Sequence, residues 1–472
     1  MTTSRTFVLS LLVSYGASII GIVTFLKRLM MRIVNRNLTR ALCACVVALA
    51  THTMSLTAQG AGGFTVLAAD TVAANAIWNS RMATWEANML SFGRAHCQTL
   101  VKKVDQYGNV QSDEMLLGAT YYDAIEVYLQ IYQYTKDPSW KTCAKAATAI
   151  YRDSYVMRSD LMGKVPGYWN FTTGLVMDYQ INGDVISKNA EILLSQNAAY
   201  TQDTTPLGWT ADPSLSREVA YAIRSYVNAE KLGASRRTRL ADLATQALGQ
   251  IDQWFITKSF RSPERYATLG LPVGVYYIQP FMVGLTMEGL IAYHGVSSDP
   301  RVLPAIKICL DWLWANAWVP ADQAFWYDNY VTDPKSPFPA NKGAPDLNLL
   351  IAPAYAWYYQ MTGDTQYRDK GDAIFAGGSV AYLAGAKQFN QNYSYGFQYV
   401  SRRQLAEGSP SVSIPSTPGV SSQPVTPQAS ASASVGEPQA PASAPASVEQ
   451  PSSPSSPETP RKKTYWRFLF GK

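Results

Sequence analysis

The chain has 472 residues, of which 47% are apolar and 16% are charged, which suffices for one large domain or two ordinary ones with tails. Its net charge of +6 arises at the N-terminus, because residues 1–60 carry six basic residues and no acidic one. The net charge of the remaining residues, 61–472, is close to zero. We therefore exclude nucleic acid as a partner, since its binding requires a concentrated basic surface.

Two apolar runs precede the body of the chain, at residues 7–26 and 41–50. The second run follows a basic segment and precedes small residues, which is the order of a Sec-type signal peptide. We predict that residues 1–60 are an export signal region, that translation starts at Met30 or Met31, and that the protein is periplasmic or secreted. If residues 7–26 are retained as a membrane helix, the protein is anchored in the inner membrane instead.

Five cysteines occur in the chain, and Cys43 and Cys45 lie in the signal region. Cys97, Cys143 and Cys309 remain in the exported part, which permits one disulfide and one free thiol. We consider two arrangements. Either Cys97 bonds to Cys143, or the three thiols are buried as small apolar residues.

From residue 76 to residue 403, apolar residues recur at three- and four-residue spacing, which predicts an all-α domain without strands. A turn sequence, Tyr-Gln-x-Thr/Asn-Gly/Lys-Asp, recurs in it at residues 132–137, 179–184 and 359–364. Looser versions lie at residues 230–235 and 293–299. Glycine ends one helix in the left-handed conformation and the acidic residue or serine caps the next, so each unit is predicted to be helix, tight turn, helix.

The predicted capping residues follow one another at intervals of 47 to 65 residues, a repeat that indicates a stacked or closed array of hairpins. They are Asp137, Asp184, Ser235, Asp299 and Asp364. A sixth hairpin would pair a helix at residues 76–103 with a last helix at residues 389–403.

With these turns and this spacing, residues 76–403 resemble the six-hairpin (α/α)6 toroid superfamily, which includes glycoside hydrolases, polysaccharide lyases and sugar epimerases. The resemblance implies a ring of hairpins with a glycan-binding groove on the rim where the long links emerge. It concerns architecture and not reaction, because the chain contains neither an Asn-His-x-x-Trp lyase motif nor an Asp-Asp nucleophile pair.

The long links between hairpins span residues 154–173, 198–216, 258–279 and 317–346, and they should all emerge opposite the tight turns. Aromatic rings and amides are frequent in these links, which suits a neutral or acidic glycan. For each single ring, packing onto the end of the fold is the alternative. The predicted substrate-binding residues are Trp169, Arg217, Gln279, Trp326, Asp328, Asn348 and Tyr393.

Hydrolysis of a glycosidic bond usually requires two carboxyl groups, one as acid and one as base or nucleophile. Glu218 and Asp346 are the preferred predicted pair, and Asp123 is the next candidate. Each has a structural alternative. Glu218 could pair with Arg217, and Asp346 could cap a helix.

We therefore predict an exported glycoside hydrolase whose partner is a polysaccharide or oligosaccharide. A lyase is the second interpretation, with Tyr393 or Tyr277 as base and Arg217 as charge neutraliser. The third is a non-catalytic glycan-binding or scaffold subunit of an envelope polysaccharide assembly. The chain has three histidines and no metal-ligand spacing, so we expect no metal and no other cofactor.

Two segments follow the predicted domain. Residues 404–460 consist mainly of Ser, Pro, Ala, Val and Gln, which cannot bury enough apolar surface to fold, so we predict a disordered linker. Residues 461–472 are basic and aromatic. We expect this tail to contact a membrane or an envelope partner, with a solvated end as the alternative.

Overall fold

Helices make up most of residues 65–111, 114–258, 273, 276–329 and 342–406, which are the residues that the computed structural model describes. For this part of the chain the predicted all-α class is confirmed, apart from one short β-hairpin. No helix in it combines the length and the apolar character needed to span a bilayer. The predicted signal region, the linker beyond residue 406 and the tail at residues 461–472 lie outside the described residues.

The helix bounds follow the predicted hairpins closely. In chain order the helices are α1 (Thr65–Val101), α2 (Glu114–Gly118), α3 (Ala124–Thr135), α4 (Ser139–Thr148), α5 (Thr173–Asn182), α6 (Val185–Asn197), α7 (Ser216–Lys231), α8 (Arg239–Phe255), α9 (Pro280–Ser297), α10 (Val302–Asn316), α11 (Ala352–Thr362), α12 (Thr365–Gly378) and α13 (Ala386–Ala406). A π-helical segment continues α4, and 3₁₀ turns precede α5, α7 and α11; these are Ala149–Val156, Gly167–Trp169, Leu207–Thr210, Pro213–Leu215 and Pro345–Leu350.

In most hairpins the tight turn ends one helix and caps the next as predicted. Gly183 and Gly363 adopt φ of 72° and 73° and end α5 and α11. Asp184 then accepts hydrogen bonds from the first amides of α6, and Asp364 does the same for α12. Both satisfy amides that the helix itself leaves free.

The capping prediction is wrong at Ser235. The link between α7 and α8 runs from residue 232 to residue 238, so α8 begins at Arg239, four residues beyond the serine. Arg236 in this link donates to both carboxylate oxygens of Glu230 at the end of α7. This link is therefore longer than the two-residue links Gly183-Asp184 and Gly363-Asp364 of the other hairpins.

The first helices of the hairpins pack side by side in chain order. α3 packs on α5, α5 on α7, α7 on α9, α9 on α11, α11 on α13, and α13 on α3. The approach of α9 to α7 is close, since a Cβ at Gly289 would lie 2.9 Å from the Cα of Ala220. Close backbone approach of this kind requires glycine.

The predicted sixth pairing, of the first long helix with the last, is present. α1 packs against α4, α12 and α13. It starts at Thr65, earlier than the predicted residue 76, and α13 extends three residues beyond the predicted end at residue 403. Of the two cysteine arrangements, the structure has the disulfide between Cys97 and Cys143, and Cys309 is a buried free thiol.

One feature departs from the strand-free expectation. β1 (Trp318–Val319) and β2 (Ala324–Phe325) form an antiparallel hairpin in the fourth long link, with Trp318 opposite Phe325. Two residues are too few to show the alternation by which a strand is recognised in a sequence.

Candidate functional site

The starts of α3, α7 and α13 meet at one end of the helix array, together with residues of the long links. The charge of Arg217 at the start of α7 acts on the phenols of Tyr121, Tyr122 and Tyr327 and on Lys387 at the start of α13. We call this group the rim cluster; its members are Tyr121, Tyr122, Tyr168, Arg217, Glu218, Tyr277, Gln279, Tyr327, Asp328, Asp346, Lys387 and Gln391.

Five predicted site residues therefore come together, namely Arg217, Glu218, Gln279, Asp328 and Asp346. The segments that carry them are far apart in sequence and meet because the first helices of the hairpins start at the same end. This is the end that the positions of the long links predicted.

Glu218 is buried in the first turn of α7, and its two oxygens differ. Oε1 accepts a hydrogen bond of 3.0 Å from Nη2 of Arg217, whereas Oε2 is buried with no hydrogen-bond partner. Gly167 allows the carboxylate stem to sit against the first link, since a Cβ there would lie 2.9 Å from Cγ of Glu218. A buried carboxylate oxygen without a partner is costly to maintain, and such groups concentrate at functional sites.

Asp346 is half-buried near the start of the 3₁₀ turn that precedes α11. Its Oδ2 accepts a 3.1 Å hydrogen bond from Nε2 of Gln391, which also donates to the Asp346 carbonyl. Burial raises the pKa of the carboxyl, while Gln391 and the charge of Lys387 oppose the rise. Glu218 and Asp346 thus belong to one cluster but have different environments.

Asp123, the next predicted catalytic carboxyl, has a structural role as a helix cap. Its Oδ1 accepts from the amide of Glu126 at 3.1 Å and its Oδ2 from the amide of Gly174 at 2.8 Å, so it caps both α3 and α5. Only glycine fits at residue 174, where a Cβ would lie 2.3 Å from Oδ1 of Asp123. This capping is a structural role, and the catalytic role of Asp123 stays a prediction.

The backbone at this position is strained. Tyr122 and Asp123 both have left-handed φ values, of 65° and 59°. Two consecutive non-glycine residues in this region cost free energy, and such strain clusters at functional sites. Both residues line the same pocket.

Glu126 is the site residue that the sequence reasoning missed. It lies in the first turn of α3, and burial raises its pKa to about 8, with Arg224 opposing the rise and Asp123 adding to it. Its Oε1 accepts from Gln130 at 3.0 Å, and Oε2 lies 3.9 Å from Nη2 of Arg224. The sequence contained a signal for this residue, because Glu126 is an acidic residue inside the apolar run at residues 124–131.

A pocket adjoins the rim cluster, with which it shares Tyr122. On α7, Arg217, Tyr221 and Arg224 are spaced so that they share one face, which leads from the rim into the array. We call this cavity the deep pocket; its volume is about 20 Å3, room for about one water molecule. It is lined by Tyr122, Asp123, Glu126, Asn170, Phe171, Thr172, Thr173, Tyr221, Arg224, Ser394 and Tyr395.

Two predicted substrate-binding residues instead hold the core together. The amide of Asn348 is fully buried and donates to the carbonyls of Gln323 and Ile374. Tyr393 is fully buried and its hydroxyl donates to the carbonyl of Trp85 at 2.7 Å. Neither faces the rim, so the substrate-binding expectation for both, and the lyase base assigned to Tyr393, need correction.

The two predicted tryptophans are also packed inside the fold. Trp169 lies in a buried aromatic group with Tyr121 and Phe171, beneath the rim cluster. Trp326 donates from Nε1 to the carbonyl of Asn316 and packs on Trp312. The expectation that they stack directly on a sugar is corrected accordingly.

Tyr277 and Asp328 form a contact within the rim cluster. The hydroxyl of Tyr277 donates to Oδ2 of Asp328 at 3.3 Å, and burial raises the pKa of Tyr277, with Asp328 adding to the rise. In the described part of the chain, no group of His, Cys, Asp and Glu could hold a metal ion. No protein-family model matches this chain, and the search of curated proteins finds no significant match.

Proposed function

We propose that this protein is an exported glycoside hydrolase whose helix hairpins form an (α/α)6 toroid, with its active site in the rim cluster. The circular order of packing supports the toroid, because the first helices contact one another in sequence and α13 returns to α3. In a toroid the starts of these helices would surround one opening, and the rim cluster draws residues from the starts of α7 and α13.

The carboxyl pair of Glu218 and Asp346 is the observation that carries the proposed reaction. Asp346, whose pKa is raised by burial, acts as the proton donor to the leaving oxygen. Glu218, bonded to Arg217 through one oxygen, offers the other as base or nucleophile. Two carboxyl groups with different environments are what glycoside hydrolysis requires.

The substrate is a polysaccharide or oligosaccharide. Half-buried rings and an amide surround the carboxyl pair, among them Tyr168, Tyr327 and Gln279. Rings of this kind stack on sugar faces and amides bond to hydroxyls. The disulfide between Cys97 and Cys143 supports export, since such bonds persist in oxidising compartments.

A lyase is the second candidate, and one observation favours it. The hydroxyl of Tyr277 is bonded to Asp328, and Arg217 lies in the same cluster. A tyrosine base and a cation that neutralises a uronate carboxylate would suit elimination. A non-catalytic glycan-binding subunit remains the third candidate, with the same rings and amides as its binding surface.

The test is turnover by the full-length chain on a panel of bacterial polysaccharides. Reducing ends report hydrolysis, and ultraviolet absorbance of unsaturated products reports elimination. We expect Glu218→Gln and Asp346→Asn each to lower hydrolysis by at least about a hundredfold, the scale of a lost acid or base. Asp369→Asn, at an exposed outer position, is the matched control and should retain full turnover.

Circular dichroism must show that each variant keeps its helix content and melting temperature. Full hydrolysis by both carboxyl variants would refute the assigned pair. Ultraviolet-absorbing products that depend on Tyr277 would replace the hydrolase with the lyase. Tight binding without any product would favour the binding subunit.

A further inference from the structure

A groove lies between the second long link, residues 198–216, and the first turn of α8. We call it the α8 groove; its lining includes Asp203, Thr204, Thr205, Leu207, Arg239 and Asp242. Its volume of about 430 Å3 is within the range of about 300–1,000 Å3 that small-molecule sites occupy. The described residues that line it include no member of the rim cluster, because α7 begins at the rim and α8 follows the far end of α7.

The second long link is held against its neighbours on both sides of the groove. Nη2 of Arg237 forms an ion pair of 2.5 Å with Oδ1 of Asp203. Nε2 of Gln250, on α8, donates to the carbonyl of Thr210 at 2.9 Å. The backbone of the groove is therefore fixed before a ligand arrives, and a preformed site loses less conformational entropy on binding.

Arg239 brings unpaired hydrogen-bond donors to the α8 groove. The residue is 6% exposed, and in the described part of the chain its Nε and Nη2 are buried without a hydrogen-bond partner. The guanidinium also bonds to the phenol of Tyr226, which leaves these two nitrogens unsatisfied. An unpaired buried cation is costly to maintain, and acceptor oxygens of a ligand would remove that cost.

An exposed tryptophan follows the groove in the same link. Trp209 is 63% exposed and lies two residues after Leu207, in the 3₁₀ turn Leu207–Thr210. Its amide donates to the carbonyl of Pro206 at 3.0 Å, which fixes the backbone that carries the ring. A flat ring held in this way offers a surface on which a sugar can stack.

We propose that the α8 groove is a second, non-catalytic binding site for a neutral glycan. The carboxylates of Asp203 and Asp242 accept from sugar hydroxyls, Arg239 donates to sugar oxygens, and the threonine hydroxyls do both. A polyanion would meet the like charges of the two carboxylates. The glycan class rests on the proposed function, whereas the groove and its unpaired donors do not.

Two separate glycan sites on one chain favour long polymers over short ones. A polysaccharide that reaches both the rim cluster and the α8 groove binds the second site at a high effective concentration. A hexasaccharide in the rim cluster gains nothing from the groove. The groove should therefore affect polymer binding and leave the turnover of short substrates unchanged.

The experiment is affinity electrophoresis of the full-length chain in gels that contain hydroxyethyl cellulose, glycol chitin or polygalacturonate. We expect at least one of the two neutral polymers to retard the protein. Trp209→Ala should raise the apparent Kd for that polymer by about three- to tenfold, the range of one lost ring contact. Tyr107→Ala is the matched control, because Tyr107 is an aromatic residue that is 80% exposed outside the groove, and it should leave Kd unchanged.

Arg239→Met separates binding from a structural role. It removes the unpaired donors but keeps an unbranched side chain, so we expect the apparent Kd to rise about tenfold and the melting temperature not to fall. A lower melting temperature with an unchanged Kd would show that Arg239 only supports the fold. That result would overturn the α8 groove as a glycan site.

Turnover of hexasaccharides separates this inference from the proposed function. Trp209→Ala should keep kcat and KM for them within about twofold of the wild type. Equal polymer binding by the wild type and both groove variants would overturn the second site and leave the hydrolase intact, as would retardation by polygalacturonate alone or by no polymer. Polymer binding that both variants weaken, without any turnover by the wild type, would support the groove and refute the hydrolase.

Discussion

Glu126 shows how a single buried carboxyl makes stability depend on pH. Burial is the main cause that raises its pKa from 4.5 to about 8; Arg224 opposes the rise and Asp123 adds to it. Between these two pKa values the folded protein holds a proton that the unfolded chain has released. The free energy of unfolding should therefore fall as the pH rises from about 4.5 to about 8.

Glu126→Gln keeps the shape of the side chain but removes the titration. We expect the decline of stability over this pH window to become shallower in the variant, as measured by urea unfolding at several pH values. Burial also raises the pKa values of Asp123, Asp346 and Glu191, so part of the decline should remain. Glu230→Gln, at an exposed ion pair, should keep the full decline; an equal change in both variants would contradict the assignment.

At the scale of elements, the disulfide ties α1 to α4 across 46 residues of sequence. In the chain-entropy model, closing a loop of that length stabilises the fold by about 4 kcal/mol. We expect a reducing agent to lower the melting temperature of the protein by several degrees. The variant with both Cys97→Ala and Cys143→Ala should melt lower from the start and should not respond to the reductant.

A wild-type melting temperature that does not change with the reductant would contradict this bond. Cys309 cannot account for a shift, because its thiol is buried and free, and burial raises its pKa well above the usual value. A free thiol has no disulfide bond for the reductant to break.

At the scale of the whole molecule, α13 carries the chain back to α3 and completes the packing. Its buried residues Tyr393 and Phe397 pack on Trp85 of α1, and Arg402 and Arg403 form ion pairs with Glu288 and Asp372. These contacts reach three other helices, so α13 should be required for a cooperative fold.

Two truncations test this requirement. A chain that ends at residue 406 retains all of α13 and should keep a single cooperative thermal transition. A chain that ends at residue 385 lacks the helix and should lose that transition, because α1, α3, α9, α11 and α12 would expose the surfaces that α13 covers. Circular dichroism during heating distinguishes them, and an unchanged transition in the shorter chain would refute the role of α13.

The sequence by itself determined the helices, most of the tight turns and the end at which the long links emerge. These features depend on residues only a few positions apart, such as Gly183 with Asp184 or Gly363 with Asp364. The spacing of the hairpins also predicted that Glu218 and Asp346 lie at the same end. Each of these signals is local or is a simple repeat of local signals.

Only the tertiary structure decided which side chains face the site. Asn348 and Tyr393 have polar side chains of the kind that binds a ligand, but both donate to backbone carbonyls of the core. Asn170 and Ser394, by contrast, keep unpaired buried atoms beside the deep pocket. Burial and bonding depend on contacts between residues far apart in the chain, and no pattern within one helix encodes them.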